Sequence, residues 1–182
     1  MRTLLFLVVL SSSLVAGCGV AEVATGQPRG VETQTPSESL TDGEPEPCEL
    51  LEAAQRGRLG VGPGRESDQT PLEGAVICNW NAISGPDTFQ AGVLPSRYQL
   101  DNVSRSYPDP QDLTVSGLRG VSTSQRASVA NRSCMIFALL SDGRLAAVSY
   151  FRNGGPNGST HDASCAKATI ALEMVVATVQ AR

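Results

Sequence analysis

Residues 134–151 constrain the fold more than any other stretch. Two apolar runs, Cys134-Met135-Ile136-Phe137-Ala138-Leu139-Leu140 and Leu145-Ala146-Ala147-Val148-Ser149-Tyr150-Phe151, flank Asp142-Gly143. Asp-Gly between such runs is the strongest short signal for a β-hairpin. A two-residue loop there predicts that Leu140 faces Leu145, Ala138 faces Ala147 and Cys134 faces Phe151. On the opposite side Leu139 meets Ala146, Phe137 meets Val148, and Met135 meets Tyr150. Both faces are apolar, whereas an antiparallel hairpin with one wet face is apolar on one side only. Something must cover each face. The face bearing Met135, Phe137, Val148 and Tyr150 is therefore a candidate binding face, for a protein partner or an apolar small molecule; the alternative is cover from the same chain.

The rest of the chain supplies partners for this hairpin. Residues 75–83 alternate, with Val76, Cys78, Trp80 and Ala82 on one side and Asn79 and Asn81 on the other, and read as a strand. Trp80, the only tryptophan, is expected to anchor the core near a disulfide. Gly85-Pro86-Asp87 turns the chain into a second strand over 88–94. Residues 95–111 read as irregular and 113–123 as one strand with a bulge at Gly117 or Gly120. Pro47 and the spacing of Leu50, Leu51, Ala54 and Leu59 predict a short helix from Cys48 to about Arg58, ended by Gly57 and Gly60. Cys165, Ala168, Leu172, Val175, Val176 and Val179 fall on one stripe of a long C-terminal helix, capped by Asp162 or Ser164. The expected fold is α+β: an antiparallel sheet of about five strands, with an N-terminal and a C-terminal helix packed on one face.

The first residues carry an address. Arg2 precedes a short apolar run, Leu4-Leu5-Phe6-Leu7-Val8-Val9-Leu10, and Val15-Ala16-Gly17-Cys18 follows. That order is a charged region, an apolar region and small residues before a cleavage point. The run is well short of the roughly 20 residues needed to cross a bilayer. The ending resembles the bacterial lipobox, which implies removal of residues 1–17, acylation of Cys18, and a place at the extracytoplasmic face of the cell membrane. Residues 18–46, rich in Gly, Pro, Thr, Ser and Glu, read as a tether that cannot bury enough apolar surface to fold. A coil of that length reaches about 30 Å. Residues 47–182 form the single folded domain.

Setting Cys18 aside leaves Cys48, Cys78, Cys134 and Cys165. An even number in an exported chain argues for two disulfides, with three connectivities open. A metal site built from these four is not expected, because zinc ligands gather in close pairs and these are scattered. Net charge is −4, and −5 once Arg2 leaves with the signal peptide. Such a chain has no electrostatic attraction to nucleic acid.

Catalytic constellations are sparse. Ser164-Cys165-Ala166-Lys167 matches the S-x-x-K acylation motif, and Lys167 is the only lysine. No S-D-N or K-T-G follows it. His161, the only histidine, is expected as a solvated side chain in a flexible polar loop, and Asp162 beside it is badly placed to orient it for a triad. The glycine-rich stretch 153–158 lacks the G-K-[ST] ending of a phosphate loop. No cofactor is expected.

Several short motifs in order then point to a family: the lipobox, a Pro-rich tether, Cys48-Glu49-Leu50-Leu51, Leu59-Gly60, Cys78-Asn79-Trp80, Cys134 in a strand and Cys165 at the start of the last helix. Together they resemble an actinobacterial lipoprotein family of unknown function, over residue 47 to the C-terminus. The resemblance implies pairing of Cys48 with Cys78 and of Cys134 with Cys165. It brings no catalytic residues. A Gly-acidic step usual in the middle strand is Gly120-Val121 here. The functional expectation is a non-enzymatic binding module of the envelope, for a protein partner or an apolar ligand. The alternatives are a serine-type hydrolase or transferase using Ser164 and Lys167, or a purely structural surface protein.

Overall fold

The computed structural model describes residues 45–67, 75–124, 133–153 and 160–182. The expected signal peptide, Cys18 and the tether up to residue 44 lie outside the described residues, as does most of the glycine-rich stretch, 154–159. The chain divides into Met1–Thr35 and Pro36–Arg182, and every described residue belongs to the second unit.

Seven strands form one antiparallel sheet: β1 (Arg65–Ser67), β2 (Ile77–Asn81), β3 (Asp87–Leu94), β4 (Gln111–Val115), β5 (Leu118–Thr123), β6 (Ser133–Leu139) and β7 (Leu145–Arg152). Their order across the sheet is β1-β2-β3-β7-β6-β5-β4. The helices are α1 (Ala53–Leu59), α2 (Leu100–Ser106) and α3 (His161–Gln180), with a 3-10 turn at Pro47–Glu49. No helix among the described residues is long and apolar enough to cross a membrane. The α+β class, the antiparallel sheet and the helices at both ends of the domain are as the sequence predicts. The strand count is seven rather than five. The expected single strand over 113–123 is a hairpin, since Ser116 and Gly117 both hold positive φ (51° and 80°) and Val115 pairs with Leu118. That is the backbone of a two-residue hairpin turn. Strand β1 is a three-residue edge strand carrying Arg65 and Glu66, the charged kind that resists edge-to-edge pairing.

Alternation along the strands makes two cores. The first lies between the sheet and α3. Cys78, Trp80, Phe89, Ala91, Cys134, Ile136, Ala138, Val148 and Tyr150 meet Ala168, Leu172, Val175 and Val176 there, joined by Leu50 and Leu51. The N-terminal segment is not one continuous helix. The 3-10 turn ends at Glu49, Leu50 and Leu51 drop into the core, and α1 begins after Glu52. A reciprocal capping box between Glu52 and Gln55 starts that helix, and Gly60 at φ 68° ends it. Gln55 ties α1 to α3 through the carbonyl of Met174 and the hydroxyl of Thr178, both at 3.2 Å.

The second core lies on the opposite face. Leu94, Val121, Met135, Phe137 and Leu145 are covered by Leu100 and Val103 of α2, with Tyr98 and Tyr107 packed at its rim. The stretch expected to be irregular thus contains the helix that closes the far side of the hairpin. Helix α2 lies over β5 and β6.

The β6–β7 loop is Ser141-Asp142-Gly143, three residues rather than two. The Gly143 N–H donates to the Leu140 carbonyl (3.0 Å) and the Leu140 N–H to that of Arg144 (2.9 Å). Gly143, at φ 86°, takes the left-handed position of a type I turn with a bulge. Leu139 therefore pairs with Leu145, Phe137 with Ala147, Ile136 with Val148 and Cys134 with Tyr150. This is one residue away from the expected register, and such a slip exchanges the faces of one strand against the other.

Candidate functional site

The register decides the fate of the expected binding face. Met135 and Phe137 project toward α2, whereas Val148 and Tyr150 project toward α3. The four do not form one face, and all are buried. The cover that a doubly apolar hairpin demands comes from α2 and α3 of the same chain.

The cysteines pair as the family resemblance implies. Cys48 bonds Cys78 and Cys134 bonds Cys165, each with 5.0 Å between Cα atoms. The first bridge fastens the 3-10 turn to β2, and the second fastens the first turn and a half of α3 to β6. Trp80 is fully buried beside the first bridge. The backbone of Gly64 presses close there, because a Cβ added to it would collide with Cys78 Sγ and Trp80 Nε1.

Three polar side chains meet where β3, β7 and α3 adjoin. Lys167 Nζ pairs with the Asp87 carboxylate, donates to the Tyr150 hydroxyl at 3.3 Å, and lies 5.1 Å from the centre of the Tyr150 ring. Burial alone would raise the Asp87 carboxyl. Hydrogen bonds from Lys167 and Tyr150, with the charges of Lys167 and Arg152, outweigh it and hold Asp87 below the usual carboxylate value. Burial would lower Lys167, but Asp87 and Tyr150 more than offset it and hold the ammonium above its usual value. Burial and Asp87 both push the Tyr150 hydroxyl up. Each group is thus locked in its ordinary charge state. A general base needs a lysine that gives up its proton near neutral pH, and this one is held protonated. Ser164 is fully buried, and its hydroxyl donates back to the Thr160 carbonyl at 3.2 Å. Ser164 thus bonds within its own helix, and Lys167 clamps α3 to β3 and β7.

His161 is not in a solvated loop. It is the first residue of α3, which Thr160 caps by accepting the Ala163 N–H at 3.2 Å. Its Nδ1 lies 3.2 Å from the Ser133 carbonyl and its Nε2 3.4 Å from Cys165 Sγ. The ligand atoms of Cys134, His161 and Cys165 all lie within 4.8 Å of one another. Sequence reasoning set His161 apart from the cysteines; the four-residue step to Cys165 on a helix is the signal that joins them.

A polar patch completes the second face beyond α2. Arg65, Asn79, Gln90 and Ser149 are successive cross-strand partners over β1, β2, β3 and β7 and so share a face. Beside them the Thr88 hydroxyl donates to Asn81 Oδ1, and Asn153 Nδ2 donates to the Thr88 hydroxyl, each at 3.0 Å. Arg65, Asn81 and Asn153 are exposed and the others half-buried.

These features define a disulfide-stapled α+β module, one antiparallel sheet with α3 on one face and α2 over part of the other. The chain belongs to a family described as protein of unknown function (DUF3558), whose model matches residues 13–178. No curated protein and no solved structure matches it.

Proposed function

We propose that the chain is an exported lipoprotein, cleaved before Cys18, acylated there, and held by the tether 18–46 at the extracytoplasmic face of the cell membrane. The observation that carries this reading is the cysteine inventory. Of five cysteines, four are joined in two bridges, as suits an oxidising compartment. The fifth stands at the end of the lipobox-like Val15-Ala16-Gly17-Cys18. In cells expressing the full chain, the mature protein should sediment with membranes and carry an acylated N-terminal cysteine by mass spectrometry. Cys18→Ser should release it. A wild-type product that is unacylated and soluble refutes the assignment.

The folded domain acts as a non-enzymatic binding module for an envelope protein. The apolar-ligand version loses its site, since Met135 and Phe137 lie beneath α2. The polar patch of Asn79, Asn81, Thr88, Gln90 and Ser149 is the contact surface, because amides and hydroxyls left half-buried on a sheet face offer directional hydrogen bonds to a partner. A photo-crosslinking residue at Gln90 should give one discrete adduct in intact cells that is missing when the probe is at Glu173, on the exposed side of α3. No adduct at Gln90, or the same adduct from both positions, overturns it.

A further inference from the structure

Cys134 comes from β6, and His161 and Cys165 are the first and fifth residues of α3. A four-residue step places His161 and Cys165 one above the other on the helix. It is also the spacing at which helices present paired ligands to zinc. The Ser133 carbonyl beside His161 Nδ1 can only accept a hydrogen bond, which leaves Nε2 as the ring nitrogen that faces Cys165 Sγ. Metal-bound histidines are held in this way, one ring nitrogen on a backbone carbonyl and the other on the ion. A tetrahedral zinc with bonds of about 2.3 Å to sulfur and 2.0 Å to nitrogen sets sulfur and nitrogen about 3.5 Å apart and two sulfurs about 3.8 Å apart. The His161–Cys165 separation of 3.4 Å is already close to that. Parting the two sulfurs is the main change required. Cys48 and Cys78 have no such third ligand among the described residues.

We infer that the reduced chain binds one zinc ion through Cys134, His161 and Cys165, with water in the fourth position, and that forming the Cys134–Cys165 disulfide releases it. The chain is synthesised with free thiols, so a reduced form exists before the bridge closes. Zinc entry displaces one proton from each thiol. Release needs a thiol oxidant, here an external disulfide. Two electrons pass to it from the two thiolates, the Cys134–Cys165 bond forms, and the oxidant leaves as two thiols after taking up two protons. In both states the start of α3 is fastened to β6, so the metal holds in the reduced chain the contact that the disulfide holds in the oxidised one. Cys134 is buried while His161 and Cys165 are half-exposed, which puts the open position on the solvent side.

The test uses the full chain, reduced anaerobically with a phosphine. Zinc is titrated against a chromogenic chelator, and cobalt(II) is substituted to read thiolate-to-metal charge transfer. One equivalent should bind with a thiolate–cobalt band, and the oxidised protein should bind none. His161→Ala should weaken zinc by about 10–100-fold or more while the oxidised variant keeps both bridges. The double variant Cys48→Ala/Cys78→Ala should bind as the parent does. Absence of binding in the reduced chain, equal binding in the oxidised chain, or unchanged affinity in His161→Ala overturns the inference. If reduction unfolds the chain, zinc must restore its near-ultraviolet circular dichroism; failure to refold it counts equally against the site.

Discussion

Phe137→Ala discriminates a closed second face from an open one. Phe137 is fully buried, in the cluster of Leu94, Leu100, Val103, Val121 and Leu145. Its ring centre lies 5.9 Å from that of Tyr107, at an interplanar angle of 42°. Removing a phenyl ring from such a site costs about 3–5 kcal/mol, against about 0.5 kcal/mol or less for an exposed position. Two double-mutant cycles sharpen the test. Phe137→Ala and Tyr107→Ala should couple by about 0.5–1.5 kcal/mol, the worth of a tilted aromatic pair. Phe137→Ala and Val148→Ala, the latter costing about 2 kcal/mol alone, should add within about 0.5 kcal/mol. Their side chains leave the sheet on opposite sides and fall in different clusters. Urea unfolding followed by fluorescence of the single, buried Trp80 reads all of these, with constant m-values confirming that stability alone has changed. A Phe137→Ala variant within about 1 kcal/mol of the parent refutes the closed face. Strong coupling between positions 137 and 148 refutes the register.

Three further outcomes follow from the same contacts. The bridges close separate loops of 30 and 31 residues in sequence separation, so replacing either pair by alanines should cost about 3.7 kcal/mol in the chain-entropy model, and losing both should be additive; thermal melts in which one pair costs nothing count against that bridge. Gly64→Ala drives a Cβ against Cys78 Sγ and Trp80 Nε1 and should cost about 1–3 kcal/mol with an altered Trp80 emission; unchanged emission and stability would show the close approach to be wrong. Lys167→Met should cost less than about 1 kcal/mol, because the pair is partly exposed, and the cost should depend on pH. Asp87 is depressed in the fold, so its share is present above the unfolded carboxylate pKa and lost as pH falls through the folded value. Lys167 is raised, so its share is present below the unfolded lysine pKa and lost as pH rises through the folded one. The difference between parent and variant should therefore be fullest between those limits and shrink at both ends; a pH-independent difference refutes the clamp.

What the sequence showed depended on how far each residue's role reached along the chain. The stripe of α3 is legible because Ala168, Leu172, Val175 and Val176 all meet one sheet face. The four structural cysteines announce themselves by their even number. By contrast, α2 buries only Leu100 and Val103 among Asp, Asn, Ser and Arg, too few for a helical period to show. Strand β1 has three residues at an edge and no buried face to create alternation. The β4–β5 turn hides because Ser116, not Asn or Asp, takes the first positive-φ position. The Asp87–Tyr150–Lys167 clamp joins three separate elements, and no local spacing encodes it. His161 stands among polar neighbours, and only the one-turn step to Cys165 marks its partner.

The hairpin loop shows which force wins when a turn signal and a core disagree. Asp142-Gly143 favours a two-residue loop, which needs positive φ at both residues. Only Gly143 has it. Asp142 instead accepts the Arg144 N–H at 2.9 Å and the Arg144 side chain at 2.8 Å, which suits the longer turn. The expected register would have carried Val148 and Tyr150 to the α2 side, away from α3 and from Phe89, whose ring centre is 5.2 Å from that of Tyr150. Each misplaced large side chain forfeits about 1.5–3 kcal/mol, far more than one turn type gains over another. Packing therefore sets the register and the loop adapts. Deleting Ser141 and making Asp142→Asn leaves Asn-Gly as a two-residue loop while keeping Leu140 opposite Arg144. That variant should fold within about 1 kcal/mol of the parent, as expected for an adapted surface loop, with amide exchange of residues 133–139 still protected. A loss of several kcal/mol, or exchange-exposed β6 amides, would mean that the turn and not the core dictates which side chains face α2 and which face α3.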